Sequence, residues 1–247
     1  MYYDLYLIVD LGNTLAKFFL FKEDKCVIKQ KVAVEKFDVR VKSLISNYSD
    51  IKGLIYSDVS KRAGDFFERL SDLFPIVGVN SQLLLPFENS YESPNSLGSD
   101  RIVLVAAACK NYPNTNVLII DLGSCITYDF LDADNIYHGG GISPGFEMRY
   151  KSLNHYTGNL PLLEVKKAEN PMGKNTDQAI HSGIYYGIID EINGRIEYYN
   201  NKYDSLTVLL TGGDANKLPK TLKNSIFAHS NFLAEGMFHL LKLNIGP

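Results

Sequence analysis

The sequence predicts an α/β chain built from a duplicated β-β-β unit, and three observations carry that prediction. Residues 7–14 read Leu-Ile-Val-Asp-Leu-Gly-Asn-Thr and residues 118–125 read Leu-Ile-Ile-Asp-Leu-Gly-Ser-Cys, so Asp10 and Asp121, like Gly12 and Gly123, stand 111 residues apart. Each copy runs on through a second strand, Leu15–Phe21 or Ile126–Leu131, a polar turn, and a third strand. The rest of the chain alternates helical and strand periodicities. With 247 residues, 45% of them hydrophobic and 21% charged, it can bury one large core or two small ones.

In chain order, the opening Met-Tyr-Tyr-Asp-Leu-Tyr-Leu-Ile-Val-Asp has no basic start and carries Asp4 and Asp10, so it reads as a buried strand and not a secretion signal. Gly and Asn in the turns that follow supply the positive φ a two-residue hairpin demands. Phe37–Tyr48 has helical spacing, Gly53–Ser57 is a short apolar strand, Arg62–Leu73 an amphipathic helix and Ile76–Val79 another strand. A loop rich in Pro, Asn and Ser runs from Pro86 to Gly98, and Ser99 is placed as N-cap of a helix reaching about Lys110. Tyr112–Asn116 is the domain boundary, dividing the chain into 1–114 and 115–247. Beyond it, Gly145 opens a helix and Thr176–Asn200 forms a long one. Leu206–Leu210 and Ile226–Ala228 are strands, and Asn231–Leu243 is the closing helix.

Several function classes drop out. A net charge of −3 leaves no basic footprint for nucleic acid. No apolar run is long enough to span a membrane. Cys26, Cys109 and Cys125 are odd in number, far apart and without C-x-x-C, as expected of reduced thiols in the cytoplasm. The five histidines form no H-E-x-x-H, so zinc has no support. Gly173-Lys174 lacks the remainder of a P-loop, and Pro144 occupies the third glycine of a would-be G-x-G-x-x-G.

The two D-x-G turns offer another way to hold phosphate. Gly beside small hydroxyl or amide residues lets successive backbone N–H groups point into one concavity. An Asp at the strand end would repel phosphate directly, but it can hold a cation that bridges phosphates. A single such Asp would read as a strand stop; a matched pair reads as a binding device.

The ordered motifs give a specific likeness. The chain resembles the acetate/sugar kinase, heat-shock ATPase and actin superfamily, and within it the type III pantothenate kinases. Asp10-Leu11-Gly12-Asn13-Thr14 matches D-x-G-N-T, Gly98-Ser99-Asp100-Arg101 matches G-x-D-R, and Asp121 to Thr127 matches D-x-G-T-A-x-T with Ser124 for Thr and Cys125 for Ala. Gly140 to Gly145 matches G-G-x-I-x-P-G, Gly173 to Thr176 falls in G-x-x-T, and Thr211-Gly212-Gly213-Asp214 sits where the superfamily has its adenosine-side turn. The resemblance implies two ribonuclease H-like domains with a cleft that clamps ATP between them. It also implies a cytoplasmic homodimer with sites shared across the interface.

The same resemblance assigns roles. Asp100 would be the general base toward the pantothenate hydroxyl; read alone, Ser99-Asp100 is simply a helix start. Gly98 and Ser99 would line the pantothenate site. Arg101 would grip the pantothenate carboxylate, and Tyr91 would contact the substrate, with a packing role equally open. Asp10, Gly12, Asn13, Thr14, Gly123 and Ser124 would surround the ATP phosphates; Lys17 would reach one, or be a surface lysine. Asp10 would position magnesium through water, and Asp121 would hold potassium or another monovalent cation. Thr176 would reach the partner subunit's pantothenate, or cap its own helix. His138 is a strand residue without chemistry. Two rivals remain: a superfamily kinase for sugar or acetate, and a non-catalytic accessory transcription factor. The G-x-D-R and G-G-x-I-x-P-G combination disfavours the first, and intact Asp100, Arg101 and D-x-G turns disfavour the second.

Overall fold

Both halves of the chain build the same sheet. The computed structural model describes residues 4–219, 222, 225–228 and 231–246. In the first half, β1 (Leu5–Leu11), β2 (Leu15–Lys22) and β3 (Lys25–Ala33) form an antiparallel meander, and β4 (Ile51–Asp58) and β5 (Ile76–Gly78) add in parallel to β1, giving the order β3-β2-β1-β4-β5. In the second, β6 (Val117–Leu122), β7 (Cys125–Leu131) and β8 (Ile136–Pro144) repeat the meander, while β9 (Thr207–Thr211) and β10 (Ser225–Phe227) repeat the parallel pair. The duplication read from Asp10 and Asp121 is therefore a duplication of topology.

The helices are α1 (Phe37–Asn47), α2 (Ser99–Asn111), α3 (Phe146–Tyr156), α4 (Thr176–Lys202) and α5 (Phe232–Ile245). The chain divides into two compact units, Met1–Pro113 with Ser230–Pro247, and Asn114–His229. The sequence boundary gave the closing helix to the second half; it packs in the first unit instead, where Phe238 of α5 stacks on Phe21 at 4.7 Å. Gly236 admits this packing, because a Cβ there would stand 2.3 Å from the Val103 carbonyl of α2.

Alternation decides which face each sheet buries. In the first unit Leu7, Val9, Leu11, Phe18 and Leu20 meet Phe37, Val41 and Leu44 of α1. In the second, Leu118, Ile120, Leu122, Ile126 and Tyr128 meet Phe146 and Tyr150 of α3 and a stripe at every fourth residue of α4: Ile180, Ile184, Ile188, Ile192 and Ile196.

Three local expectations give way. Arg62–Leu73 is mostly turns, with a 3₁₀ turn at Glu68–Leu70. The Asp58 carboxylate takes the Ala63 amide at 2.9 Å, Gly64 has φ +49°, and Phe67 turns in to stack on Tyr56 at 4.0 Å. Ser99 is the first residue of α2, and Gly98 is its N-cap. Gly12, Asn13 and Gly123 keep negative φ; the left-handed residues fall in the second turns, at Glu23 and Asn135. The strand read from residues 1–10 is observed as Leu5–Leu11, and residues 1–3 lie outside the described residues.

Candidate active site

In the first unit the polar groups gather where β1 and β4 end. Parallel register sets Asp10 beside Ser57, and antiparallel register sets it beside Lys17. Asp10 is buried, and Lys17 Nζ donates to its Oδ2 at 2.9 Å. The turn beyond closes tightly, with the Gly12 amide donating to the Leu15 carbonyl at 3.0 Å, and its tip presents exposed Asn13 and Thr14. Glycine at residue 12 eases that approach: a Cβ would stand 3.2 Å from the Leu15 oxygen, so the turn would have to give by a few tenths of an ångström.

Ser57 is a residue that motif reading missed. Its buried hydroxyl lies 2.9 Å from that of Ser99, which pins the start of α2 to the end of β4. Its signal is a polar residue near the carboxyl end of an apolar strand that pairs in parallel, where ligands gather. The first turn of α2 then presents Asp100 and Arg101. The Asp100 carboxylate folds over Gly98, where a Cβ would meet its Oδ1 at 2.4 Å, so the glycine makes the space that the aspartate uses. Arg101 is buried, contrary to a solvated helix arginine, and its guanidinium lies 5.4 Å from the centre of the Tyr91 ring. Tyr91 and Arg101 thus form a cation–π pair.

In the second unit the equivalent turn is enclosed by glycines. Asp121 has Thr127 opposite it on β7 and Thr211 opposite it on β9. The Gly123 amide donates to the Cys125 carbonyl at 2.9 Å, leaving Ser124 exposed. Gly212, at φ +95°, lies so close that a Cβ would meet the Leu122 oxygen at 2.3 Å and Asp121 Oδ1 at 2.5 Å. The Asp214 amide donates to that same Leu122 oxygen at 3.0 Å. Gly145 approaches from the other side, its amide donating to the Ser124 carbonyl at 3.1 Å. The two turns differ in one respect: Asp10 carries a lysine partner from the next strand, and Asp121 has threonine in that register position.

Thr176 stands apart, at the head of α4. Asn175 is the N-cap of that helix, its Oδ1 accepting from the Gln178 amide at 2.9 Å, so Thr176 is an exposed first-turn residue without the capping role. His138 on β8 is 2.6 Å from Asp132 and joins the ends of its own hairpin.

Comparison with known proteins agrees with this arrangement. Residues 6–198 match the family "Type III pantothenate kinase". A protein of that name from Christiangramia forsetii is 43% identical over 238 residues, covering 96% of this chain and 98% of its own. Among solved structures, a putative Baf family transcriptional activator from Campylobacter jejuni superposes with TM-score 0.62 at 22% identity, over 95% of this chain and 96% of its own. A putative N-acetylmannosamine kinase from Listeria monocytogenes gives 0.58 at 12%, over 96% and 98%. These two likenesses establish the fold, a pair of ribonuclease H-like α/β units. The family match and the near-complete coverage of the relative decide the rest: the chain belongs to the type III pantothenate kinase family.

Proposed function

We propose that this kinase moves the γ-phosphoryl group of ATP onto the primary hydroxyl of pantothenate, the first step of coenzyme A biosynthesis, with Asp100 as general base. The observation that carries the assignment is the polar line Asp10, Ser57, Ser99 across the end of the first sheet. It brings the first turn of α2, with Asp100 and Arg101, to the strand end that bears the first phosphate turn. In the reaction the pantothenate hydroxyl oxygen bonds to the γ-phosphorus, its proton passes to Asp100, and the bond to the β-phosphate bridging oxygen breaks to release ADP. A carboxylate is a weak base, but phosphoryl transfer depends mainly on positioning and charge neutralisation.

The Gly12 and Gly123 amides close their own turns, so the amides of Asn13, Thr14 and Ser124, with the exposed Ser124 hydroxyl, supply the phosphate contacts, and Lys17 can leave Asp10 for a phosphate because its side chain is 47% exposed. Arg101 suits the pantothenate carboxylate. A buried guanidinium in the first turn of a helix lies at the positive end of the dipole, a setting that favours an anion beside it. The Tyr91 ring, 5.4 Å from that guanidinium, supports it by a cation–π contact.

The threonines that flank Asp121 in register, Thr127 and Thr211, offer hydroxyl oxygens that suit a monovalent cation. Thr127 Oγ1, directly opposite Asp121, is buried and has no hydrogen-bond partner among the described residues. Asp121 and Thr127 would hold the cation, which would supply positive charge beside the transferring phosphates. Magnesium is a matter for Asp10 and the phosphates together. Asp10 would touch that ion through water while the phosphates of ATP bind it directly.

The working unit we propose is a cytoplasmic homodimer in which Thr176 completes the partner's pantothenate site. Its exposure at the head of α4 supports this, as do the exposed Ile142, Met148, Tyr156, Leu162 and Met172 in the same unit. The test is direct. Purified protein with ATP, magnesium, potassium and pantothenate is assayed by coupled ADP release, and the product is identified as 4'-phosphopantothenate. Folded protein that releases no ADP over a wide range of ATP would overturn the reading.

A further inference from the structure

The Gly140-Gly141-Ile142-Ser143-Pro144-Gly145 segment has no part in the chemistry above, yet the structure uses nearly every residue of it. Gly140 passes so close to β7 that a Cβ would fall 1.6 Å from the Tyr128 carbonyl oxygen. Gly141 lies beside Arg195, whose guanidinium is 5.5 Å from the centre of the Tyr128 ring. Ser143 Oγ donates to Glu191 Oε2 at 3.1 Å, and the Pro144 carbonyl accepts from Arg149 Nε at 2.8 Å. Gly145 donates to the Ser124 carbonyl and would, with a Cβ, collide with Gly123 and Ser124.

Glu191 of α4 is the hub of these contacts. It accepts from Tyr128 Oη at 2.8 Å, from Ser143 Oγ, and from Arg149 Nη2, which also donates to Ser143 Oγ at 3.0 Å. Burial pushes its carboxyl up, but the bonds from Arg149, Tyr128 and Ser143 outweigh that and hold it below the usual range. An ionised carboxylate with three donors from β7, β8 and α3 is a rigid junction, because charge-assisted bonds in a half-buried setting are the strong ones. From it a continuous chain of bonds runs through Arg149 to the Pro144 carbonyl, across the Gly145 peptide, and into the Ser124 carbonyl.

We propose that Glu191 and Arg149 are positioning residues for ATP: they clamp Pro144–Gly145 and thereby set the backbone of the Gly123–Ser124 phosphate turn. Neither needs to touch the nucleotide. The proposal rests on the reading of that turn as a phosphate site, and the experiment separates the two.

KM for ATP, KM for pantothenate and kcat are measured for Ser124→Ala, Glu191→Gln, Arg149→Met and the double variant Ser124→Ala with Glu191→Gln. The clamp predicts that each single variant raises KM for ATP by about five- to fifty-fold while KM for pantothenate stays within about twofold, since small misplacements of a binding group are costly. It also predicts non-additivity: Glu191→Gln should add little once Ser124 is replaced, although the two residues share no bond. A merely structural Glu191 would lower the melting temperature without that coupling. If Ser124→Ala leaves KM for ATP unchanged, the phosphate-turn reading fails. If Ser124→Ala raises it and folded Glu191→Gln does not, or if the two effects multiply, the clamp is refuted and the turn stands. Should Glu191→Gln not fold, Tyr128→Phe takes its place, since it removes one bond to Glu191 and keeps the ring packed. The same outcomes then decide.

Discussion

Gly145→Ala adds one methyl group and tests the proposed second phosphate turn from the side that Glu191 and Arg149 brace. Gly145 has φ −72°, which any residue adopts, so the substitution brings no backbone strain of its own. The cost is contact. The new Cβ would stand 2.4 Å from the Gly123 oxygen and 2.6 Å from the Ser124 oxygen, and real Cβ atoms essentially never approach within 3.0 Å, so the turn must retreat by about 0.6 Å. Overpacking of this kind costs roughly 1–3 kcal/mol, a fall in Tm of roughly 2–12 °C for a chain of this size. Because the retreating atoms are the proposed phosphate-binding backbone, and a misplacement near 1 Å costs about a hundredfold, kcat/KM for ATP should fall about 10- to 100-fold. Gly194→Ala is the control. It lies exposed inside α4 with nothing within 4 Å of its Cβ position, so it should stabilise by up to about 1 kcal/mol and leave kinetics alone. Steady-state kinetics in ATP, with thermal melts, read both. Unaltered ATP kinetics in a destabilised Gly145→Ala would refute the argument, because the turn would have moved without consequence.

Asp100→Asn keeps the shape over Gly98, so stability should shift by no more than about 1 kcal/mol, while turnover falls roughly 10²–10⁴-fold; near-normal turnover would remove the base. Activity should be much higher in potassium than in sodium, and Asp121→Asn should erase the difference; equal wild-type rates in the two salts would dismiss the cation site. Glu191, held below its ordinary value of 4.5, contributes stability that is present above about pH 4.5 and lost as pH falls through its lowered folded value. The melting-temperature gap between wild type and Glu191→Gln should therefore close on acidification, with Arg149, Arg195 and Tyr128 the charged or titratable groups facing it; a gap that widens contradicts the ion pair. Equal mixing of Asp100→Asn with Thr176→Val subunits should restore about a quarter of wild-type activity if sites are shared, and none if Thr176 serves its own chain.

What was legible in the sequence is what repeats or alternates. Two D-x-G turns at matched positions announced two sheets, and their strand orders proved alike because the same apolar alternation dictates the same pairing. The failures share a cause: a side chain or a second segment outcompeted a local preference. Helical spacing at Arg62–Leu73 lost to Asp58, which takes the Ala63 amide, and to Phe67, which has a ring to stack on. Ser99 looked like a cap but found Ser57 across the sheet, a partner that no local pattern reveals.

The same reasoning explains why the glycines were misread. A glycine in a tight turn suggests positive φ, yet Gly12 and Gly123 keep ordinary backbone angles, and it is Gly145, also at an ordinary φ, that serves close approach to the second turn. Close approach is a property of two segments, so one sequence position carries only half of it. At the second turn the other half comes from Gly145 and Gly212, which are 22 and 89 residues downstream of Gly123. That turn carries no lysine in the register position that Lys17 fills beside Asp10. With Thr127 in that position, its backbone is held by packed peptide on either side, and Glu191 and Arg149 brace one of those sides. As the phosphate site we propose, this turn would depend on residues that never meet the phosphate, so ATP affinity should respond to substitutions along β8 and α3 as strongly as to Ser124 itself.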